Sequence, residues 1–360
     1  MLHLVTLVNR ASVTSMPINE FVLYRYKHNE YFHIKQSVII CDISSEGKVF
    51  FPDDIKVYYT GYSFFNIKKC VKEIGLDAEL NDDTLLFHAH HDKVSLLFLA
   101  SCTKYLGCSV YTVHSSVQDR RFIDKIECII NSLFFRKVTV VSQAAYDKYP
   151  RCLKLIKGEN VECITNGIDM ERIQNSLEHN VNVKNRRILV CVARMIPLKN
   201  HSFIIDILRY LPDYKLILIG KEDKKGHIRS LVKKYNLSDR VFFKGEVSRE
   251  DVYKELSQCG IYVSASKSEG LPISVLEAMG CGLLPILSDI APHKEIADKC
   301  DGVVSIPLNR DIWIRKIKEI SELSDDEYIR LANKMKESMK INFSLDTMHD
   351  KYLRIYKKLM

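Results

Sequence analysis

The residues best suited to chemistry lie in Ser268-Glu269-Gly270-Leu271-Pro272-Ile273-Ser274-Val275-Leu276-Glu277. A strand-like run, Ile261–Val263, precedes them and ends in a small polar loop, Ser264–Ser268. Pro272 is expected at the first helical position, where a missing N–H costs nothing, and Gly280 as the helix stop. In a parallel sheet such a loop lies at the C-terminal strand edge, where ligands bind. The free N–H groups and positive end of the helix suit an anion. Gly270 lets the backbone come close to a phosphate. From inside the helix, Glu277 could bind the paired hydroxyls of a ribose, and Glu269 lies near where a sugar would project. The alternative is that both are solvated acids.

A second loop, Ala193-Arg194-Met195-Ile196-Pro197-Leu198-Lys199-Asn200, carries two cations five residues apart between a strand-like run and a helical pattern. Such a pair suits a pyrophosphate, Arg as a fork and Lys as a point charge. A surface ion pair is the alternative. His88-Ala89-His90-His91-Asp92 has metal-ligand types, with His88 and His90 on one strand face. Its place ahead of an apolar helix points instead to cleft lining and to Asp92 as an N-cap, so no metal is expected. The dinucleotide glycine fingerprint, the P-loop and the nucleophile elbow are all absent from the sequence.

Two α/β stretches position these loops. Strand-like runs fall at Leu2–Val8, Gln36–Cys41, Lys56–Tyr59, Thr84–Ala89, Ser109–Val113, Lys137–Val141 and Asn160–Ile164. They resume at Arg187–Val192, Tyr214–Ile219, Arg240–Phe243, Gly260–Val263 and Leu284–Leu287. Helical patterns separate them, among them Lys93–Tyr105, Ser142–Tyr149, His201–Tyr210, Lys224–Tyr235, Arg249–Ser257 and Pro272–Gly280. Continuous apolar strands with helices between them imply parallel sheets covered on both faces. Met279, Phe242 and Phe243 are expected in the core. The Asn-rich stretch Asn166–Asn185 is the expected seam, and only helical patterns follow residue 309. The domains are therefore placed at 1–165, with a final helix at about 344–360, and at 166–343.

The chain has 360 residues, 46% apolar and 27% charged, enough for two cores. Its 11 cysteines are scattered without a Cys-x-x-Cys, the usage of reduced cytosolic thiols rather than a disulfide frame or zinc ribbon. The start, Met1–Asn9, is apolar but short and reads as a core strand, not a signal peptide. The net charge of +8 lies wholly in the second half, since residues 1–180 hold 21 basic and 21 acidic groups. No nucleic-acid-binding motif accompanies it.

With these pieces in order, the second half resembles the family-4 retaining glycosyltransferases of the GT-B fold (glycosyl transferases group 1). The resemblance rests on Ile164-Thr165-Asn166-Gly167-Ile168-Asp169, Val192-Ala193-Arg194 with Lys199-Asn200, Leu218-Ile219-Gly220, Val241-Phe242-Phe243-Lys244-Gly245, and Glu269-x7-Glu277 followed by Ala278-Met279-Gly280. It is strong over about residues 137–300 and weak before them. It implies two Rossmann-like domains facing across a cleft, with the last helix crossing back to the first. It also implies transfer of a sugar from a nucleotide-diphosphate sugar, of which UDP-sugars are typical, to an acceptor hydroxyl. Configuration would be retained, and neither metal nor cofactor would be needed.

In that family pattern Arg194 and Lys199 neutralise the diphosphate and Glu277 holds the ribose. Glu269 meets the sugar, Gly270, Leu271 and Pro272 offer backbone beside sugar and phosphate, and Gly245, Glu246 and Val247 border the base. Thr112-Val113-His114-Ser115 resembles the family's strand-end motif with Ser115 in place of glycine, which puts His114 at the sugar. The family's glycine pair after the first strand is missing: Ser12–Glu20 contains no glycine. The acceptor class implied is a glycan or lipid-linked glycan of cell-surface polysaccharide, lipopolysaccharide or glycolipid assembly. A sugar-nucleotide epimerase or phosphorylase of the same fold, or a non-catalytic relative that binds nucleotide sugar, are the alternatives.

Location is expected to be cytoplasmic. Residues 120–157 hold nine basic and three acidic groups, and 330–358 hold eight and three. A peripheral contact with anionic lipid headgroups is one reading of these stretches and a solvated face the other. A nucleic-acid partner is not expected.

Overall fold

The computed structural model describes residues 1–13, 15–118, 120–177 and 184–360. Thr14 of the glycine-free loop and residues 178–183 of the expected seam lie outside them. The chain divides into two compact units, Met1–Thr165 with Met348–Met360, and Asn166–Thr347.

The first unit is a seven-stranded parallel sheet. Its strands are β1 (Leu2–Val8), β2 (Ile34–Ile40), β3 (Lys56–Tyr59), β4 (Thr84–Ala89), β5 (Ser109–Val113), β6 (Lys137–Val140) and β7 (Val161–Cys163), in the order β3-β2-β1-β4-β5-β6-β7. The central strands are buried on both faces, with the polar His3, Thr6, Gln36, Ser37 and His88 buried among Val, Ile and Leu. The order reverses between β1 and β4, so a crevice is expected past their C-terminal ends.

The helix Leu345–Leu359 contributes its residues from Met348 onward to this unit, where they meet a buried polar strip. Arg25 donates to His349 Nδ1 (3.2 Å) and to the Tyr356 hydroxyl (2.6 Å). His349 Nδ1 therefore accepts, and its Nε2–H donates to Glu20 O at 2.7 Å. The Tyr356 hydroxyl donates to His88 Nδ1 (2.7 Å), and His88 Nε2 meets Thr112 Oγ1 (2.7 Å). Burial and the nearby Arg25 charge hold both imidazoles well below the usual histidine range, as this hydrogen-bonding pattern of neutral rings requires.

The second unit is a six-stranded parallel sheet. Its strands are β8 (Asn185–Val192), β9 (Lys215–Ile219), β10 (Val241–Gly245), β11 (Cys259–Ser264), β12 (Leu284–Ser288) and β13 (Val304–Ile306), in the order β10-β9-β8-β11-β12-β13. This is a doubly wound sheet with its switch point between β8 and β11. Helices Arg310–Ser321 and Asp325–Asn342 follow it.

Several expectations are corrected. The seam is not a bare linker: Ile168 bridges Ser344, and a helix spans Met170–Leu177. Gly167 is needed there, since a Cβ would sit 2.3 Å from Ser344 O. Phe242 is exposed and Phe243 only partly buried, because β10 is an edge strand; Arg229 stacks over Phe243 at 4.1 Å. The expected helix from Lys224 starts at His227, where the Asp223 carboxylate accepts from the Lys225 and His227 N–H groups. Pro272 is the residue before the helix, not its first member. Its backbone is extended (φ −79°, ψ 100°), and the helix runs Ile273–Gly280. Met279 is in the core as expected.

Candidate active site

The second unit brings its two candidate loops together. Val192 ends β8 and Ser264 ends β11, and these strands are paired. The Lys267 N–H donates to Leu198 O at 2.8 Å, tying one loop to the other. Lys199 Nζ meets Glu269 Oε1 at 2.5 Å, and the same oxygen accepts from Ser266 Oγ at 2.7 Å. Lys199 and Glu269 keep only 19% and 11% of their side-chain exposure, so this is not the surface ion pair the sequence left open. Arg194 is exposed and makes no side-chain hydrogen bond or ion pair among the described residues.

Backbone geometry holds the Arg194 loop in place. The Ala193 N–H donates to Ile219 O (2.9 Å) and the Met195 N–H to Lys221 O (2.8 Å). Gly220, at φ 133°, packs so tightly that a Cβ would lie 2.4 Å from Ala193 O. The Gly220 N–H donates in turn to Gly245 O at 2.7 Å. Gly245 itself is left-handed (φ 70°) and ends the bulged strand β10, followed by exposed Glu246 and part-buried Val247. The second-unit candidates thus lie at or beyond the C-terminal ends of three strands, β10, β8 and β11.

Glu277 is buried rather than solvated. Its Oε1 accepts from the Tyr253 hydroxyl at 2.9 Å and lies 3.4 Å from Arg249 Nε. The hydroxyl and the cation together fix the direction of this buried carboxylate. Gly270, Leu271 and Pro272 are buried just ahead of the helix. Tyr262 fastens this helix to the other loop, donating within reach of Ser274 Oγ (2.9 Å) and Val192 O (3.3 Å).

Sequence reasoning missed Ser266 and His293. Ser288 Oγ donates to Ser266 O (2.5 Å), and His293 Nδ1 lies 2.9 Å from Ser288 O. A carbonyl only accepts, so Nδ1 carries the hydrogen and the buried Nε2 is bare. Burial pulls this imidazole down to about 4. The signal was available: Ser288–His293 is the next strand-end loop of the same pattern.

In the first unit, His114 follows β5 and its Nε2 lies 3.1 Å from His90 Nδ1. Burial first, then the charges of His91 and Arg120, pull His114 down to about 3. It borders a cavity of about 440 Å³ with His90, His91, Asp92, Ser115 and Arg120. Asp92 is not the N-cap. It is the first residue of helix Asp92–Ser101, and its carboxylate accepts from Arg120 (2.7 Å) and Tyr111. Asn9, past the end of β1, does the capping: its Oδ1 accepts from the Val94 N–H at 3.0 Å, and its own N–H donates to His91 Nδ1 at 3.2 Å. His88 is committed to Tyr356 and Thr112, and among the described residues no group of three or more His, Cys, Asp or Glu could hold a metal.

Two doubly wound sheets, the second with cations and a buried carboxylate gathered at its switch point, give the chain the GT-B fold. Known proteins agree. Residues 173–340 match the family described as glycosyl transferases group 1. Over 373 aligned residues the chain is 23% identical to the UDP-Gal:alpha-D-GlcNAc-diphosphoundecaprenol alpha-1,3-galactosyltransferase of Escherichia coli, covering 96% of this chain and 93% of that one. Sucrose-phosphate synthase from Thermosynechococcus elongatus has the same fold, with a TM-score of 0.81 at 16% identity over 100% of this chain and 99% of that one. So has Anabaena HepE in complex with UDP and glucose, with a TM-score of 0.74 at 15% identity over 99% and 100%.

Proposed function

We propose that the chain transfers a sugar from a UDP-sugar to a hydroxyl of a glycan carried on a lipid diphosphate, in cell-surface polysaccharide or glycolipid assembly. Configuration is retained, and no metal or cofactor takes part. The observation that carries the reading is the joining of the Arg194–Lys199 loop to Glu269 and the Ile273–Gly280 helix at one switch point. The UDP-sugar donor of the E. coli enzyme and the UDP bound by HepE support the UDP donor, and the lipid-diphosphate acceptor of the E. coli enzyme supports the acceptor.

Arg194, exposed and uncommitted, grips the diphosphate as a fork. Lys199 adds a charge whose direction Glu269 fixes, and Glu269 is left beside the sugar. The N–H groups ahead of Val275 supply further positive potential. Glu277 accepts from the ribose hydroxyls, and Gly245, Glu246 and Val247 border the base. As the C1–phosphate bond breaks, the acceptor oxygen bonds C1 on the same face and its proton leaves on the departing phosphate. No protein nucleophile is assigned. The first unit binds the acceptor, and its His114 is a neutral hydrogen-bonding group there.

Thermal shifts with UDP, GDP and ADP in EDTA test the donor half. UDP should raise the melting temperature most; a shift seen only with added metal would sink the metal-free claim. Proton NMR of the product's anomeric centre tests retention, and an inverted product would refute it.

A further inference from the structure

The helix Phe122–Phe134 is built inside out. The residues it buries are Cys128, Asn131 and Ser132. Asn131 Nδ2 donates to Asp92 O at 3.0 Å, a polar contact that ties the helix to the unit, while Ser132 Oγ donates within the helix to Cys128 O at 2.6 Å. Its bulky apolar residues face outward: Phe122 is 76% exposed, Ile123 67% and Phe134 59%, with Ile126, Ile129, Ile130 and Leu133 also exposed. The spacing 122, 126, 129, 130 and 133 is that of one continuous helical stripe. Beside it lies the helix Arg151–Lys157, whose Lys157 Nζ donates to Leu133 O and Phe135 O, and Leu155 there is 84% exposed. A monomer in water has no use for such a face.

Its rim is basic. Residues 120–157 hold nine basic and three acidic groups. Arg120 and Lys137 are largely covered and paired with Asp92 and Glu162, and Arg121 pairs with Asp124, which leaves six basic groups against two acids. Arg136 and Arg151 stand exposed at the ends of the two helices. A second copy would bring the same basic rim against itself, because a two-fold contact uses one patch twice. An anionic surface with an apolar interior matches both features. No helix among the described residues is long and apolar enough to cross a membrane, and one of 13 residues can lie in the plane of the interface.

We infer that Phe122–Phe134, with Leu155 and Ile156 beside it, seats this unit on an anionic lipid bilayer. The apolar stripe enters the headgroup–acyl boundary while the basic rim meets lipid phosphates. Ile123, Asp124 and Glu127 of this helix also line the cavity that holds His114, so the bilayer lies beside that cavity.

Co-sedimentation with phosphatidylcholine vesicles, with and without phosphatidylglycerol, tests this on the full chain at low and high salt, with no donor or acceptor. A failed transferase reading therefore leaves the result intact. Wild type should bind the anionic vesicles and keep part of that binding at high salt. The triple variant Ile126→Glu, Ile130→Glu, Phe134→Glu should bind at least about tenfold more weakly with an unchanged melting temperature, since all three side chains are exposed. Absence of binding, equal binding by the variant, or complete release by salt would each overturn the inference. So would a wild-type dimer that the triple variant makes monomeric while neither binds vesicles.

Discussion

Lys199 Nζ and Glu269 Oε1 lie 2.5 Å apart although they are far apart in sequence, and they join the loops that follow β8 and β11. Each therefore sets the other's position. Lys199→Ala and Glu269→Ala should each lower kcat/KM by about 100-fold, the scale of losing one preorganised electrostatic group. Because the pair acts as a unit, the double variant should be little worse than either single one. Fully additive losses in a double-mutant cycle would show that the two act separately.

Glu277 should serve donor binding and stability together. Glu277→Gln keeps the shape and removes the charge, so UDP affinity should fall about tenfold or more while the fold survives. Glu277→Ala leaves Arg249 buried beside a lost carboxylate, and a cost of about 3–5 kcal/mol is expected. Titration calorimetry with UDP and urea unfolding read the two effects. Unchanged UDP affinity in Glu277→Gln would remove the ribose role.

Gly220→Ala probes the Arg194 loop without touching a charged group. The new methyl group would meet Ala193 O at 2.4 Å, on a backbone with φ 133°. We expect a loss of about 1–3 kcal/mol in stability and weaker UDP binding as the loop moves. A variant with native UDP affinity would show that the loop does not depend on this contact.

Much of this was legible in the sequence, for a local reason. Strand-end loops concentrate turn residues and reactive residues in the same few positions, so Arg194, Lys199, Glu269 and Glu277 stood out with the elements that carry them. What depends on distant partners did not. No local pattern shows that β8 lies beside β11, that Glu269 answers Lys199, or that Asn9 caps the helix at Asp92. The apolar stripe of Phe122–Phe134 is visible as a pattern, but its outward direction is set by Asn131 bonding Asp92 O from another element.

Stability should fall as acid is added across a defined window. His201 and His293 are buried in the second unit and both are pulled to about 4, chiefly by burial. The unfolded chain, with histidines near 6.5, binds protons first, so acid favours unfolding. The penalty is absent above about pH 6.5, grows as pH falls, and levels off below about pH 4; it reaches roughly 2 kcal/mol per ring at pH 5. Urea unfolding at pH 7 and pH 5 measures it, and His293→Gln should remove part of the difference. Equal midpoints at the two pH values would contradict the assignment of neutral buried rings.

The most direct test of the central claim is release of UDP from a UDP-sugar in the presence of a lipid-diphosphate glycan. Wild type, Arg194→Ala and Glu277→Ala are compared at equal concentration in EDTA. Wild type should release UDP and form a glycosylated lipid, while both variants fall by about 100-fold or more. Wild type that binds the donor yet turns over no faster than either variant would contradict a transferase site built on Arg194 and Glu277.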